Sequence, residues 1–139
     1  MPTNKDRPRI HHFHAYNRVR LTIYTLPVKG KETWYAVGMA LCHKKDNGSR
    51  IEGRELAKIS AEIAQRDFEP HFPQGFYEIL EPGICIFKSA SLLKDLIVSL
   101  RKIEHYCTDC KALSFYNQVF RGNLNPIFYF AHLTESEPQ

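Results

Sequence analysis

Residues 18–42 alternate. In "RVRLTIYTLPV", Val19, Leu21 and Ile23 share one side, and Arg18, Arg20, Thr22 and Tyr24 share the other. After "KGK" the alternation resumes in "TWYAVGMALCH". Period two belongs to a strand, because successive side chains leave opposite faces of a pleated backbone. Two such runs around Gly30 predict an antiparallel hairpin. A three-residue loop sets Ile23 opposite Val37 and Leu21 opposite Met39. That register gathers Val19, Leu21, Ile23, Tyr35, Val37, Met39 and Leu41 on one apolar face; slipping by one residue would mix the faces. The reverse face carries Arg18, Arg20, Tyr24 and Trp34 around a strip of small residues, Ala36, Gly38, Ala40 and Cys42. Small side chains there would let another backbone approach closely.

The rest of the chain supplies further hairpins and two helices. "KKDNGS" is a turn signal. Ser49 and Glu52 have capping-box spacing, and a helix is predicted over 51–66. Leu56, Ile59 and Ile63 fall on one side of it, and Pro70 prevents its continuation. "FYEILEPGICIF" reads as two short strands around Glu81-Pro82-Gly83. "SASLLKDLIVSLRKIEHY" places Leu92, Leu93, Leu96, Ile97, Leu100 and Ile103 on one helical face. "ALSFYNQVF" and "NPIFYFAHL" are rich in aromatic and β-branched residues and predict a last hairpin around Arg121-Gly122-Asn123. The expected fold is α+β: an antiparallel sheet of about six strands with two helices on one face, in the order ββαββαββ. Residues 1–15 read as a flexible basic, His-rich arm, 16–134 as one domain and 135–139 as a tail.

A chain of 139 residues suits one domain. It buries roughly two-thirds of its unfolded surface, so its core requires no metal or disulfide. No apolar run reaches the length of a membrane span, and "MPTNKDRPRIHH" lacks the apolar segment of a secretion signal. The reading is cytoplasmic, with Cys42, Cys85, Cys107 and Cys110 as thiols or metal ligands. Charge is lopsided. Residues 1–50 carry ten Lys/Arg against three acids, and residues 51–139 carry nine against twelve. A basic first third points to an acidic partner, most often nucleic acid.

Cys107-x-x-Cys110 can hold half a zinc site, with His105 as the nearest third ligand. No second C-x-x-C or H-x-x-x-H completes it. Placed after a helix and before a strand, with Asp109 between the thiols, the pair is read as structural and no metal is assigned. His12-Phe13-His14 resembles the His-hydrophobe-His triplet with which HUH nicking endonucleases hold a metal beside a catalytic tyrosine. The resemblance covers those three residues, and in that family the triplet lies on a central strand. Within "HHFH" (His11 to His14) the adopted reading is a His-rich arm. No phosphate-cradling glycine loop, nucleophile elbow or paired carboxylates stand out, so no catalytic residue and no cofactor are assigned.

The expected function is a non-catalytic nucleic-acid-binding accessory or regulatory protein. Arg7, Arg9, Arg18, Arg20, Lys29, Lys31, Lys44 and Lys45 would neutralise phosphates of DNA or RNA, and Tyr24 and Trp34 would stack on unpaired bases. The alternative is a protein-interaction module, an inhibitor or assembly subunit, which dimerises or docks a protein partner through the aromatic sheet face. No membrane contact is expected.

Overall fold

The computed structural model describes residues 7–16, 19–43, 50–67 and 75–132. Five strands form one antiparallel sheet: β1 (Arg9–Ala15), β2 (Val19–Val28), β3 (Lys31–His43), β4 (Tyr77–Glu81) and β5 (Ile84–Phe87), in the spatial order β1-β2-β3-β5-β4. Helix α1 (Arg50–Asp67) follows β3. Helices α2 (Ala90–Tyr106), α3 (Asp109–Arg121) and α4 (Asn125–Phe128) follow β5, and a 3-10 turn covers Tyr129–His132. The class is α+β, as expected.

Several details differ from the sequence reading. Part of the expected arm is β1, which pairs along β2 from Arg9 opposite Thr25 to Ala15 opposite Val19. The expected last hairpin is helical. Thr108 caps α3 by accepting the Lys111 N–H, and Gly122 ends it in a left-handed conformation. Packing explains the override: Ala112, Tyr116 and Val119 fall at helical spacing and are buried. Strand propensity is weaker than such a match between period and core. Among the described residues the sheet therefore has five strands, not six, and the order is βββαββααα.

In the β2–β3 hairpin, Ile23 pairs with Met39 and Leu21 with Leu41, and a bulge falls between Pro27 and Val28. The register is two residues from the expected one. A shift of two preserves the faces, because the side-chain period is two. Phe13, Leu21, Ile23, Val37, Met39, Cys85 and Phe87 thus form one core with Leu93, Leu96, Leu100 and Ile103 of α2 and Tyr116 of α3.

The reverse face is covered as well. Tyr24 and Ala40 pack on Ala57 and Ala61, and Ala36, Ile84 and Ile86 pack on Ala64. Helices α1 and α2 therefore lie on opposite faces, which corrects the expectation of two helices on one. The small-residue strip does admit a backbone, and that backbone is α1. A Cβ at Gly38 would run into the main chain at Ala57 and Ala61. Gln65 fastens the far end of the helix by donating to the Pro27 carbonyl, 2.6 Å away. The pattern Gly53, Ala57, Ala61, Ala64 repeats at i, i+4, i+8, i+11, so one whole side of α1 is small enough for this approach. The capping residue Ser49 lies outside the described residues.

Charged side chains hold the β1 edge, and the other edge strand, β4, carries a buried ion pair. At β1, Arg101 of α2 donates to the His12 carbonyl at 2.9 Å, and the His14 N–H donates to Glu104 at 2.8 Å. Tyr116 donates to the His14 carbonyl at 3.0 Å. These bonds staple the edge to α2 and α3, and a stapled edge cannot template pairing with another chain there. At β4, Glu78 and Lys88 form a 2.9 Å ion pair whose side chains are 7% and 6% exposed. The Lys88 ammonium also lies over the Trp34 ring, 5.1 Å from its centroid.

Candidate functional site

Among the described residues, those expected to bind nucleic acid do not converge on one surface. Arg7 and Arg9 are exposed at the start of β1, and Lys29 and Lys31 are exposed at the β2–β3 tip, the same end of the sheet. Arg20 lies toward the other end, where its Nε donates to His14 Nε2 at 3.1 Å. The ten residues of β2 separate the two ends by roughly 30 Å. Arg18, Lys44 and Lys45 lie outside the described residues. Tyr24 is 6% exposed beneath α1 and offers no ring face to a base. Trp34 is half-buried, with the Lys31 and Lys88 ammonium groups 5.0 Å and 5.1 Å from its ring centroid. Helix α1 covers much of the aromatic sheet face, burying Tyr24 and leaving Trp34 partly exposed.

The histidine triplet lies on β1, and β1 is an edge strand rather than a central one. Phe13 points into the core, while His12 Nδ1 meets Thr22 Oγ1 at 2.8 Å on the α1 side. His14 Nε2 accepts from Arg20, and its Nδ1 sits 3.7 Å from Glu104. The two rings are engaged by separate neighbours instead of converging. Among the described residues no three His, Cys, Asp or Glu side chains group as metal ligands. Burial lowers the pKa of His11, and the Arg101 and Arg9 charges lower it further.

Cys107 and Cys110 sit at a helix-to-helix junction, not at a helix-to-strand corner. Cys107 is the C-cap of α2, Thr108 is the N-cap of α3, and Cys110 lies in the first turn of α3. The expected strand gives way to α3 because Ala112, Tyr116 and Val119 fall at helical period. Burial pushes the Cys107 thiol up, with Lys111 opposing. Cys110 is exposed, and Tyr16 Oη lies 2.7 Å from its Sγ. That hydrogen bond is the main cause raising the Tyr16 pKa. Tyr16 is the one non-glycine among the described residues with positive φ, 62°. His105 stacks edge-on against Tyr106 rather than joining the thiols.

The four thiols therefore differ in accessibility. Burial pushes Cys85 up to about 12 and closes it to solvent. We expect iodoacetamide to label Cys110 first in the native protein, and Cys85 only after denaturation, as read by mass spectrometry of digests. Fast native labelling of Cys85 would contradict its placement in the core. The linkage has a definite sign. A thiol whose folded pKa is raised stabilises the fold fully below its unfolded value near 9, and that contribution is lost as pH rises toward 12.

The surface the sequence reading missed is on α1. Its sheet-facing side is Gly53, Ala57, Ala61 and Ala64, so Leu56, Ile59 and Ile63 are not the buried set. Ile51, Leu56 and Ile59 are 64%, 49% and 52% exposed. Ile63 is partly covered at the flank, beside Leu80 and Ile84. Leu56 and Ile59, spaced i and i+3, form an outward stripe that Ile63 continues toward the sheet flank. The signal was present in the sequence: the helix carries two apolar sides, one small and one large. Only a neighbour with matching small residues selects between them.

No helix among the described residues is long and apolar enough to cross a membrane. Comparisons with protein-family models, with curated proteins and with solved structures found no match.

Proposed function

We propose that this chain is a non-catalytic protein-interaction module that docks a partner on the outer side of α1. One observation carries the reading: α1 turns glycine and alanine inward and leaves Leu56 and Ile59, neighbours one turn apart, in water. Fully burying a Leu or Ile side chain is worth about 1.5–3 kcal/mol, and an ordinary surface helix has polar residues there. A contiguous stripe differs from scattered exposed residues, which need no explanation. The docking alternative read from the sequence is kept, and its surface moves from the sheet to the helix.

A selection of displayed helical peptides tests this. Binders enriched on the wild-type protein should be lost on Leu56→Asp/Ile59→Asp, whose melting temperature should stay within a few degrees because both positions are exposed. Binders indifferent to both changes would place the interface elsewhere.

A second reading, nucleic-acid binding, is supported by the exposed Arg7, Arg9, Lys29 and Lys31 at one end of the sheet. If phosphates bind there, Lys29→Ala/Lys31→Ala should lower duplex affinity and reduce the salt slope by about 0.9 for each phosphate no longer neutralised. An unchanged slope in a salt titration would remove these lysines from any interface.

A further inference from the structure

We infer that the partner segment taken by α1 is a cationic amphipathic helix of another protein. This rests on the docking reading above and adds the chemistry of the occupant. The stripe has the 3–4 spacing that forms a ridge on one helix and fits the groove of a second. Its rim is acidic. Ile59 has Glu55 one turn before it and Glu62 one turn after it, both exposed. Glu52, also exposed, continues the line one turn ahead of Leu56. The helical period turns Arg54 away from the stripe and sets Lys58 on the far side of Glu55 and Glu62, one turn from each, which leaves Arg66 as the cation beside the stripe itself.

That rim discriminates among occupants. A second copy packed antiparallel would bring Glu55 and Glu62 against the same pair of its mate, and a parallel copy would set them against the opposite flank of the stripe, where Ser60 offers no countercharge. Like charges across an interface disfavour the pairing. An anionic lipid surface meets the same repulsion. A helix with an apolar ridge flanked by Lys or Arg satisfies both the stripe and the rim, and its charges add steering and specificity to the apolar contact.

Two synthetic helices with the same leucine face, one otherwise lysine and one otherwise glutamate, test this by fluorescence anisotropy. Each is titrated against wild type, Leu56→Ser/Ile59→Ser and Glu55→Lys/Glu62→Lys. The lysine helix should bind wild type, lose at least about tenfold on the charge-reversed variant, and weaken with added salt. The glutamate helix should show the opposite preference, and both should lose binding on the serine variant. Binding that needs the stripe but ignores the charges overturns the cationic partner and leaves the docking reading standing. Binding indifferent to Leu56 and Ile59 overturns both. If neither helix binds wild type, the inference fails. If sedimentation finds a dimer that Leu56→Ser/Ile59→Ser dissolves, the occupant is a second copy and the inference fails.

Discussion

Replacing Gly38 by alanine should destabilise the protein by about 3 kcal/mol or more, at the upper end of the overpacking range. The added methyl group meets main-chain atoms of Ala57, Ser60 and Ala61. A flexible side chain could swing aside, but a helix backbone cannot. Relief would require α1 to lift from β2 and β3, which would open the contacts of Tyr24, Ala40, Ala57 and Ala61. Two other glycines calibrate the effect. A Cβ at Gly53 meets the Thr22 hydroxyl at 2.9 Å and the Cys42 sulfur at 3.5 Å, both side-chain atoms, so Gly53→Ala should cost less. Gly30 has nothing within 4 Å of such a Cβ, and its cost comes from a positive φ of 80° in the hairpin turn, about 1 kcal/mol. Urea unfolding of the three variants should rank Gly38 first. A Gly38→Ala midpoint equal to wild type would mean that α1 does not sit this closely on the sheet.

Breaking the Glu78–Lys88 pair should be comparably severe. Both side chains are nearly closed to solvent, and a bond of 2.9 Å joins them beside the Trp34 ring. Removing one partner leaves a buried charge with less compensation, a change that typically costs about 3–5 kcal/mol. Glu78→Ala and Lys88→Ala are each expected in that range. Replacing both together, Glu78→Leu with Lys88→Met, should recover most of the loss, since an apolar pair of similar volume avoids the desolvation penalty of two ions. Thermal melts of the two single variants and the double variant provide the check. Single variants that lose under about 1 kcal/mol would indicate a solvated pair.

How much of the site was legible depends on the residue. The strand pair around Glu81-Pro82-Gly83 and the apolar side of α2 followed from turn chemistry and helical period, and the structure has both. The junction at Cys107 and Cys110 did not. The segment from Ala112 to Phe120 is rich in residues that favour strands, yet Tyr116 and Val119 find their core one helical turn apart. Strand preference expresses fit to a pleated, half-buried surface, and no such surface remains for this segment. Part of the expected arm is strand for a similar reason. "RIHHFHA" has few strand formers, but Phe13 fills the core and α2 holds the outer edge through Arg101 and Glu104.

By itself, the sequence determined the side-chain faces of β2 and β3, because period two survives a register error of two residues. It also showed that a backbone could come close to Gly38, since a strip of small residues permits that approach. What came close was decided by the tertiary structure. The inferred visitor was a nucleic acid, drawn by Arg20, Tyr24 and Trp34; the actual one is α1, which presents Gly53, Ala57, Ala61 and Ala64. Hydrophobicity alone ranks Leu56 and Ile59 above those alanines as the side to bury. Steric fit reverses the ranking: large side chains would hold the helix off the strip, whereas small ones let the two backbones meet. That choice covers the aromatic face and leaves the large apolar residues outside, where a partner can reach them.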